Sequence, residues 1–219
     1  MRINAEFSET VTLDTRAMDW VASPMAGVER KMLDRIGEEV ARATSLVRYA
    51  PGSRFSSHTH GGGEEYLVVE GTFSDEHGDY PQGTYVRNPI GTKHAPHSDG
   101  GCTILVKLHQ FEEDDTERKQ IDTTAADYRP TDTPGATYLP LHEHGAERVE
   151  MLRLAPGAAL TRDVPPGGFE MLVTEGAVAD GTTTFETGGW LRRNDGAAQT
   201  LQTDSGCTLF IKTGHLPAD

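Results

Sequence analysis

The sequence has little of several residue types, and each shortage excludes a class of function. Only two cysteines, Cys102 and Cys207, occur among 219 residues. They lack the spacing of a CxxC pair or a Cys/His finger, so neither a zinc finger nor a thioredoxin-type redox site is expected. No run of 18 or more apolar residues is present. A transmembrane helix is therefore not expected.

Basic residues are scarce as well. The chain has 20 Lys and Arg against 34 Asp and Glu, which gives a formal net charge of −14. Phosphate binding needs clustered basic side chains, so nucleic acid is not expected as a direct partner, and the same shortage argues against an anionic membrane surface. Residues 1–11 do not show the charged region followed by an apolar region that is typical of a secretory signal peptide. These observations predict a cytoplasmic protein.

Glycine and proline, in contrast, are abundant. The 24 Gly and 12 Pro residues separate short apolar runs, such as residues 45–49, 66–69 and 103–107. Short runs at regular intervals with turn residues between them favour an all-β sandwich or barrel. In residues 28–43, alternating side chains and the interrupting Gly37 predict two extended segments rather than a helix.

The sequence contains an internal repeat of one unit. A shift of 105 residues aligns most of the first half with the second without gaps, which predicts an internal duplication. The acidic run 112–115 opens a polar linker between the halves, so we predict domains at 1–115 and 116–219. The matched residues include Ala50-Pro51-Gly52 with Ala155-Pro156-Gly157, Glu65, Val68, Glu70 and Gly71 with Glu170, Val173, Glu175 and Gly176, and Gly101-Cys102-Thr103 with Gly206-Cys207-Thr208.

Four residues of the first half form a candidate metal site. His58 and His60 stand two apart, and in a strand this spacing sends both imidazoles to the same face. Glu64 follows after a turn of three glycines, and His94 follows a Pro-x-Gly turn further along the chain. Three imidazoles and one carboxylate suit a borderline first-row cation. We therefore expect one divalent metal ion per chain, with Zn or Fe favoured and Mn or Ni left open.

The two stretches that carry these residues resemble the motifs of the cupin superfamily. The first reads Gly-x5-His-x-His-x3-Glu-x6-Gly over 52–71, and the second reads Gly-x5-Pro-x-Gly-x2-His over 83–94. Ser98 replaces the Asn that usually follows, which affects no expected ligand. The resemblance implies a double-stranded β-helix, or jelly roll, in two tandem cupin domains (a bicupin). It also implies that His58, His60, Glu64 and His94 are the metal ligands.

A narrower resemblance covers residues 18–110. Residues 73–81, 83–89 and the segment from Trp20 to Val28 are similar to ChrR-like cupins. In the ChrR anti-sigma factor, such a cupin follows a sigma-binding domain that has its own zinc site, with a His-x3-Cys-x2-Cys motif. That motif does not occur in this sequence. A sigma factor is left open as a partner, and we do not expect the chain alone to inhibit one.

The second half lacks the candidate ligands. At the shifted positions, Asp163, Pro165, Phe169 and Gln199 replace the three histidines and the glutamate. A metal-free second domain is predicted, with Phe169 filling the vacated space. Glu65, unlike Glu64, has a counterpart in this half, Glu170. A residue kept without the metal site is expected to belong to the scaffold.

Two functions from different classes follow from these observations. One is a metal-dependent sensor of an oxidant or small ligand in transcriptional stress regulation, as the ChrR resemblance implies. The other is a non-haem iron dioxygenase-type enzyme acting on a small organic substrate, with Phe55, Tyr66, Tyr85 and His97 as candidate cavity residues. A structural, storage-like cupin is a third reading. No catalytic residue is predicted. Cupins commonly pair through exposed sheet edges, so a homodimer is one assembly that the resemblance allows.

Overall fold

A computed structural model describes residues 1–217, and within this range all regular structure is β-strand. The all-β prediction is confirmed. Residues 218 and 219, the end of the predicted second domain, lie outside the described range. The described residues include no helix long and apolar enough to cross a membrane.

The strands are numbered along the chain. The first fourteen are β1 Arg2–Ile3, β2 Val11–Asp14, β3 Val21–Ala22, β4 Val28–Gly37, β5 Ala41–Tyr49, β6 Ser53–Arg54, β7 His58–Thr59, β8 Glu64–Asp75, β9 Gly78–Pro81, β10 Thr84–Asn88, β11 Lys93–His94, β12 His97–Ser98, β13 Cys102–Leu108 and β14 Lys119–Asp122. The others are β15 Arg129–Pro130, β16 Ala136–His144, β17 Glu147–Leu154, β18 Ala159–Arg162, β19 Phe169–Ala179, β20 Thr184–Glu186, β21 Gly189–Arg193, β22 Gln199–Gln202 and β23 Cys207–Thr213. Strands β4 and β5 confirm the two extended segments predicted within residues 28–43.

The chain folds into two compact units with the same sheet topology. Unit 1 comprises Met1–Ala5 and Asp19–Ala125, and unit 2 comprises Glu6–Met18 with the chain from Ala126 onward. The main sheet of unit 1 runs β1-β4-β5-β13-β8-β10-β14, and that of unit 2 runs β15-β16-β17-β23-β19-β21-β2. The five central strands therefore match at a shift of about 105 residues, as expected for a duplicated unit: β4, β5, β13, β8 and β10 correspond to β16, β17, β23, β19 and β21.

The units differ from the predicted division 1–115 and 116–219 in two edge strands. In unit 1, β14 pairs with β10, so Asp122 lies opposite Thr84. In unit 2, the matching edge is β2 from the start of the chain, with Asp14 opposite Gly189. The physical reason is that β10 and β21 each need a neighbour for their backbone N–H and C=O groups. Spatial pairing, unlike the sequence repeat, gives residues 6–18 to unit 2 and residues 116–125 to unit 1.

Each unit has its own apolar core. In unit 1 the inward side chains of β5, β8 and β13, among them Val47, Val68 and Ile104, pack with the aromatic rings of β8 and β9. Cys102 and Cys207 are buried and unoxidised at matching positions. Burial raises the pKa of the Cys102 thiol, and it raises that of Cys207 to about 11. Both thiols therefore act as small apolar core groups.

Glycine is required where β8 passes close to the segment before β13. Gly71 has a φ of +72°, and a Cβ built on it would lie 2.2 Å from the carbonyl oxygen of Gly101. Gly176 in unit 2 has the same relation to Gly206, with a φ of +77° and a distance of 2.2 Å. Both units thus have the same close contact between two backbone segments, and it leaves no room for a side chain.

We predict that Gly71→Ala destabilises the protein more than Gly52→Ala does. Gly52 has a similar φ of +77°, but no atom lies within 4 Å of its added Cβ. Gly52→Ala should cost roughly 1–2 kcal/mol from the left-handed backbone alone, whereas Gly71→Ala adds an overlap with a backbone oxygen. Urea unfolding followed by circular dichroism measures both. Equal midpoints for the two variants would contradict this account.

Candidate metal centre

The structure brings the four predicted ligands together in unit 1. Strands β7 and β11 pair so that His58 lies opposite His94. His60 directly follows β7, and Glu64 begins β8. One donor atom from each of the four side chains lies within 4.8 Å of the other three. His60, Glu64 and His94 are buried, whereas His58 is exposed.

The spacing of the donor atoms fits a single first-row ion. Glu64 Oε2 lies 3.4 Å from His60 Nε2 and 3.5 Å from His94 Nε2. Adjacent ligands about 2.1 Å from one ion stand roughly 3.0–3.4 Å apart. The Nε2 atoms of His60 and His94 are buried and have no hydrogen-bond partner. These are the atoms that an ion between the side chains would engage.

A threonine orients the first buried imidazole. His60 Nδ1 lies 2.9 Å from Thr92 Oγ1, and the Thr92 hydroxyl donates to the carbonyl oxygen of Pro89 at 2.6 Å. Because that hydroxyl proton is already used, Thr92 accepts the proton of His60 Nδ1. The lone pair of His60 is then on Nε2, facing Glu64.

A carboxylate orients the second buried imidazole. His94 Nδ1 lies 3.1 Å from Asp75 Oδ2, and Asp75 Oδ1 accepts from the backbone N–H of His77 and the hydroxyl of Tyr80. Glu64 is held in turn by Asn88, whose Nδ2 donates to Oε2 at 3.1 Å. Outer partners of this kind fix the tautomer and direction of metal ligands.

Burial and nearby charge act differently on the two rings. Burial lowers the pKa of His60. Burial also disfavours protonated His94, but the hydrogen bond to Asp75 and the neighbouring carboxylates outweigh it and raise the pKa of His94. For Asp75, the desolvation penalty is outweighed by the hydrogen bonds from His94, His77 and Tyr80, which lower its pKa. Asp75 therefore remains a charged acceptor behind His94.

The three glycines before Glu64 allow two side chains to pack onto the turn. A Cβ on Gly62 would lie 2.2 Å from Nδ1 of His109, and a Cβ on Gly63 would lie 2.3 Å from the ring of Phe111. The backbone N–H of His109 also donates to the carbonyl oxygen of Gly63, and that of Phe111 donates to the carbonyl oxygen of Gly62. The turn thus joins the ligand segment to the chain that follows β13.

A cavity of about 240 Å³ adjoins the cluster and is lined by His58, His60 and Glu64. Phe55 lines it, as predicted, but Tyr66, Tyr85 and His97 are not among its described lining residues. Tyr85 lies on the other side of the sheet and donates to Glu65 at 2.6 Å. Arg30, His109, Ser23 and Thr59 add polar groups to the lining. The apolar wall consists of Met25, Val28, Val47, Tyr49, Phe55, Pro96, Ile104, Val106 and Leu108.

Sequence reasoning missed the partners of the ligands. Asp75 aligns with Asp180 in the half without a site, so the sequence repeat does not mark Asp75 as a residue of the metal site. Both aspartates accept a backbone N–H two residues later, from His77 and from Thr182, which explains their common turn position. Only the structure shows that Asp75 also contacts His94.

Unit 2 has an apolar interior where unit 1 has its site. Phe169, at the position of Glu64, is fully buried in a cluster with Val164 and Leu201. Gln199, at the position of His94, accepts from Arg193 at 3.1 Å. None of the described residues at the four matching positions, Asp163, Pro165, Phe169 and Gln199, belongs to a group of His, Cys, Asp or Glu side chains close enough together to hold an ion.

Comparison with known proteins places the fold. The family model described as the ChrR cupin-like domain matches residues 8–112 and 116–217. No curated protein sequence matches significantly. One similar solved structure is a candidate dioxygenase from Nostoc punctiforme, with 15% identity, coverage of 95% of this chain and 83% of that chain, and a TM-score of 0.75. The pirin YhhW of Escherichia coli in complex with nickel(II) has 14% identity, coverage of 96% and 100%, and a TM-score of 0.72. The Bacillus subtilis oxalate decarboxylase with Mn(II) centres has 10% identity, coverage of 95% and 78%, and a TM-score of 0.64.

At these identities the structural likenesses show the fold alone, and they confirm the predicted jelly roll. The two matches to the family model lie in tandem and together span most of the sequence. This chain therefore belongs to the ChrR cupin-like domain family, as a bicupin.

Proposed function

We propose that unit 1 binds one divalent metal ion through His58, His60, Glu64 and His94. The observation that carries the proposal is the pair of buried Nε2 atoms without hydrogen-bond partners, each within 3.5 Å of a Glu64 oxygen. Buried polar atoms that lack a partner cost free energy. An ion between these side chains would give every donor a partner.

The donor set narrows the choice of ion. Imidazole suits Zn, Fe, Ni and Cu, and one carboxylate offsets part of the charge of a dication. Zn or Fe is favoured, and Mn and Ni stay open. The names of two solved cupins, the nickel(II) pirin and the Mn(II) oxalate decarboxylase, support this range for the fold. When bound, such an ion supplies Lewis-acid or redox chemistry at any coordination position that the protein leaves open.

The cavity supports an enzyme of the dioxygenase type acting on a small organic substrate over a purely structural metal site. A structural site needs no chamber beside it, and a sensor of a small oxidant needs only an access path. Here the ligands adjoin an apolar space of about 240 Å³. Its aliphatic and aromatic walls would exclude water and bury the body of a substrate. Asp75, Thr92 and Asn88 would keep the ligands in place during turnover.

Sensing of a small ligand or oxidant is the second candidate function, and membership of the ChrR cupin-like family favours it. The ligands and cavity would then bind the signal rather than convert it. A separate partner would have to transmit the response, and a sigma factor is one candidate.

Elemental analysis of protein purified without added metal tests the proposal most directly. Bound iron, together with an altered electron paramagnetic resonance spectrum when nitric oxide is added to the Fe(II) protein, would support an open site for oxygenase chemistry. Zinc with no small-molecule binding would contradict the enzyme proposal and the sensing of a small ligand, and would leave oxidant sensing or a structural role. Absence of any first-row metal would contradict metal binding itself.

We predict a metal-to-chain ratio near one. His58→Ala, His60→Ala and His94→Ala should each bring the ratio near zero after dialysis against a chelator, because each removes a direct bond to the ion. Plasma emission spectrometry measures the ratio. A ratio near two in the unmodified protein, or full retention of metal in all three variants, would contradict the ligand assignment.

We predict that Glu64→Gln loses the metal and that Glu65→Gln keeps it. The two carboxylates are adjacent and both buried, so the substitutions are closely matched. Glu65 binds Tyr85 and Arg87 on the far side of the sheet. Its replacement should lower the melting temperature instead of the metal content. Loss of metal from the Glu65 variant alone would reverse the assignment.

We predict that Thr92→Val and Asp75→Asn each weaken metal affinity about 10- to 100-fold, the usual effect of losing an outer partner of a ligand. Thr123→Val is the control, because the Thr123 hydroxyl also donates to a backbone carbonyl oxygen, that of Gly83, and Thr123 is not one of the residues that contact the candidate ligands. Competition with a chromogenic chelator gives the affinities. An unchanged affinity in both Thr92→Val and Asp75→Asn would show that these contacts do not hold the ligands in place.

A further inference from the structure

Arg30 places a positive charge in the apolar wall of the cavity. It lies on β4, and its neighbour across the sheet is Val47, which lies opposite Ile104 on the next strand. All three side chains line the cavity that reaches His60 and Glu64. Among the described lining residues, Arg30 is the one Lys or Arg.

The guanidinium is only partly satisfied by the protein. Its Nε is buried without a hydrogen-bond partner. Nη1 lies 3.5 Å from Glu39, but the Glu39 side chain is 69% exposed, against 18% for Arg30. An ion pair with so exposed a carboxylate is weak. Arg35 is a second cation near Arg30. Burial lowers the pKa of Arg35, and the positive charge of Arg30 lowers it further.

We propose that Arg30 binds the carboxylate of a small organic acid that occupies the cavity between Arg30 and the metal ligands. The inference rests on the proposed metal site and names the substrate class for it. A guanidinium offers several N–H donors in one plane and matches a carboxylate in a bidentate pair.

The rest of the cavity fits the other parts of such a molecule. Its valine, isoleucine, leucine and aromatic walls would cover an apolar body, and the volume of about 240 Å³ limits that body to a few carbon atoms or one ring. The imidazole and carboxylate cluster lies beside the same space, so a second polar group of the acid would face the metal. A phosphate would bring a second negative charge that no further Lys or Arg of the described lining meets.

Isothermal titration calorimetry with butyrate and benzoate, against butyramide and benzamide, tests the inference on the metal-loaded full chain. Each acid should bind at least tenfold more tightly than its amide. Arg30→Met should lose at least tenfold in affinity for the acids, as expected when a charge-assisted hydrogen bond is removed. It should leave the weak binding of the amides unchanged.

Two control variants separate the charge at this position from general effects. Arg30→Lys keeps the charge and should retain part of the preference for acids. Arg54→Met removes an equal charge outside the cavity, where the side chain is 65% exposed and pairs with Asp99, and should have no effect. Circular dichroism confirms that each variant is folded.

The outcomes distinguish this inference from the metal proposal. Metal content is measured in the same preparations, and Arg30→Met should keep its metal. Protein without any first-row metal would defeat the proposed function, yet Arg30-dependent binding of acids would still be measurable in it. Equal affinity for acids and amides, no change in Arg30→Met, or failure of both acids to bind would overturn the role of Arg30.

Discussion

The register of strand β8 is the constraint on which unit 1 depends. It begins with two consecutive buried carboxylates, Glu64 and Glu65, which alternate to opposite faces of the sheet. Strand β10 places Asn88 opposite the first and Arg87 opposite the second. Each carboxylate thus meets its partner only in this register. A slip by one residue would bring Glu65 to the histidines and remove it from Arg87, to which Asp115 also binds.

Unit 2 shows that the two faces can change independently. Glu170 keeps the outer role of Glu65, accepting from Trp190 at 3.0 Å and lying 2.9 Å from His215. On the inner face, Phe169 replaces the carboxylate and packs into the apolar core. A phenylalanine there removes the cost of burying a charge and adds apolar contact area. Because side chains alternate along one strand, the residues that stabilise the sheet and the residues of the candidate metal site lie on opposite faces.

The sequence was sufficient to predict which four side chains cluster in unit 1, because their spacing is local. His58 and His60 share a face by period two, and the motif spacing supplied Glu64 and His94. Asp75 and Thr92 were missed because their contacts depend on how distant strands are paired. Arg30 was missed for the same reason, because its place at the cavity depends on the pairing of β4 with β5 and of β5 with β13. The edge strands β2 and β14 were also beyond reach, because a strand pattern does not state which sheet it joins.

Charge links the metal to the ligand proposed for the cavity. The chain carries a formal net charge of −14, which attracts cations and repels anions at long range. Over the short distances inside the cavity, the relevant fixed charges are Arg30 and Glu64, which balance each other. Binding of a dication would make this space positive, so the affinity for an organic anion should rise once the ion is bound. By linkage, the anion would then strengthen retention of the ion by the same factor. Selectivity for an acid would accordingly come from short-range pairing inside the cavity, since the acidic exterior gives no attraction toward it.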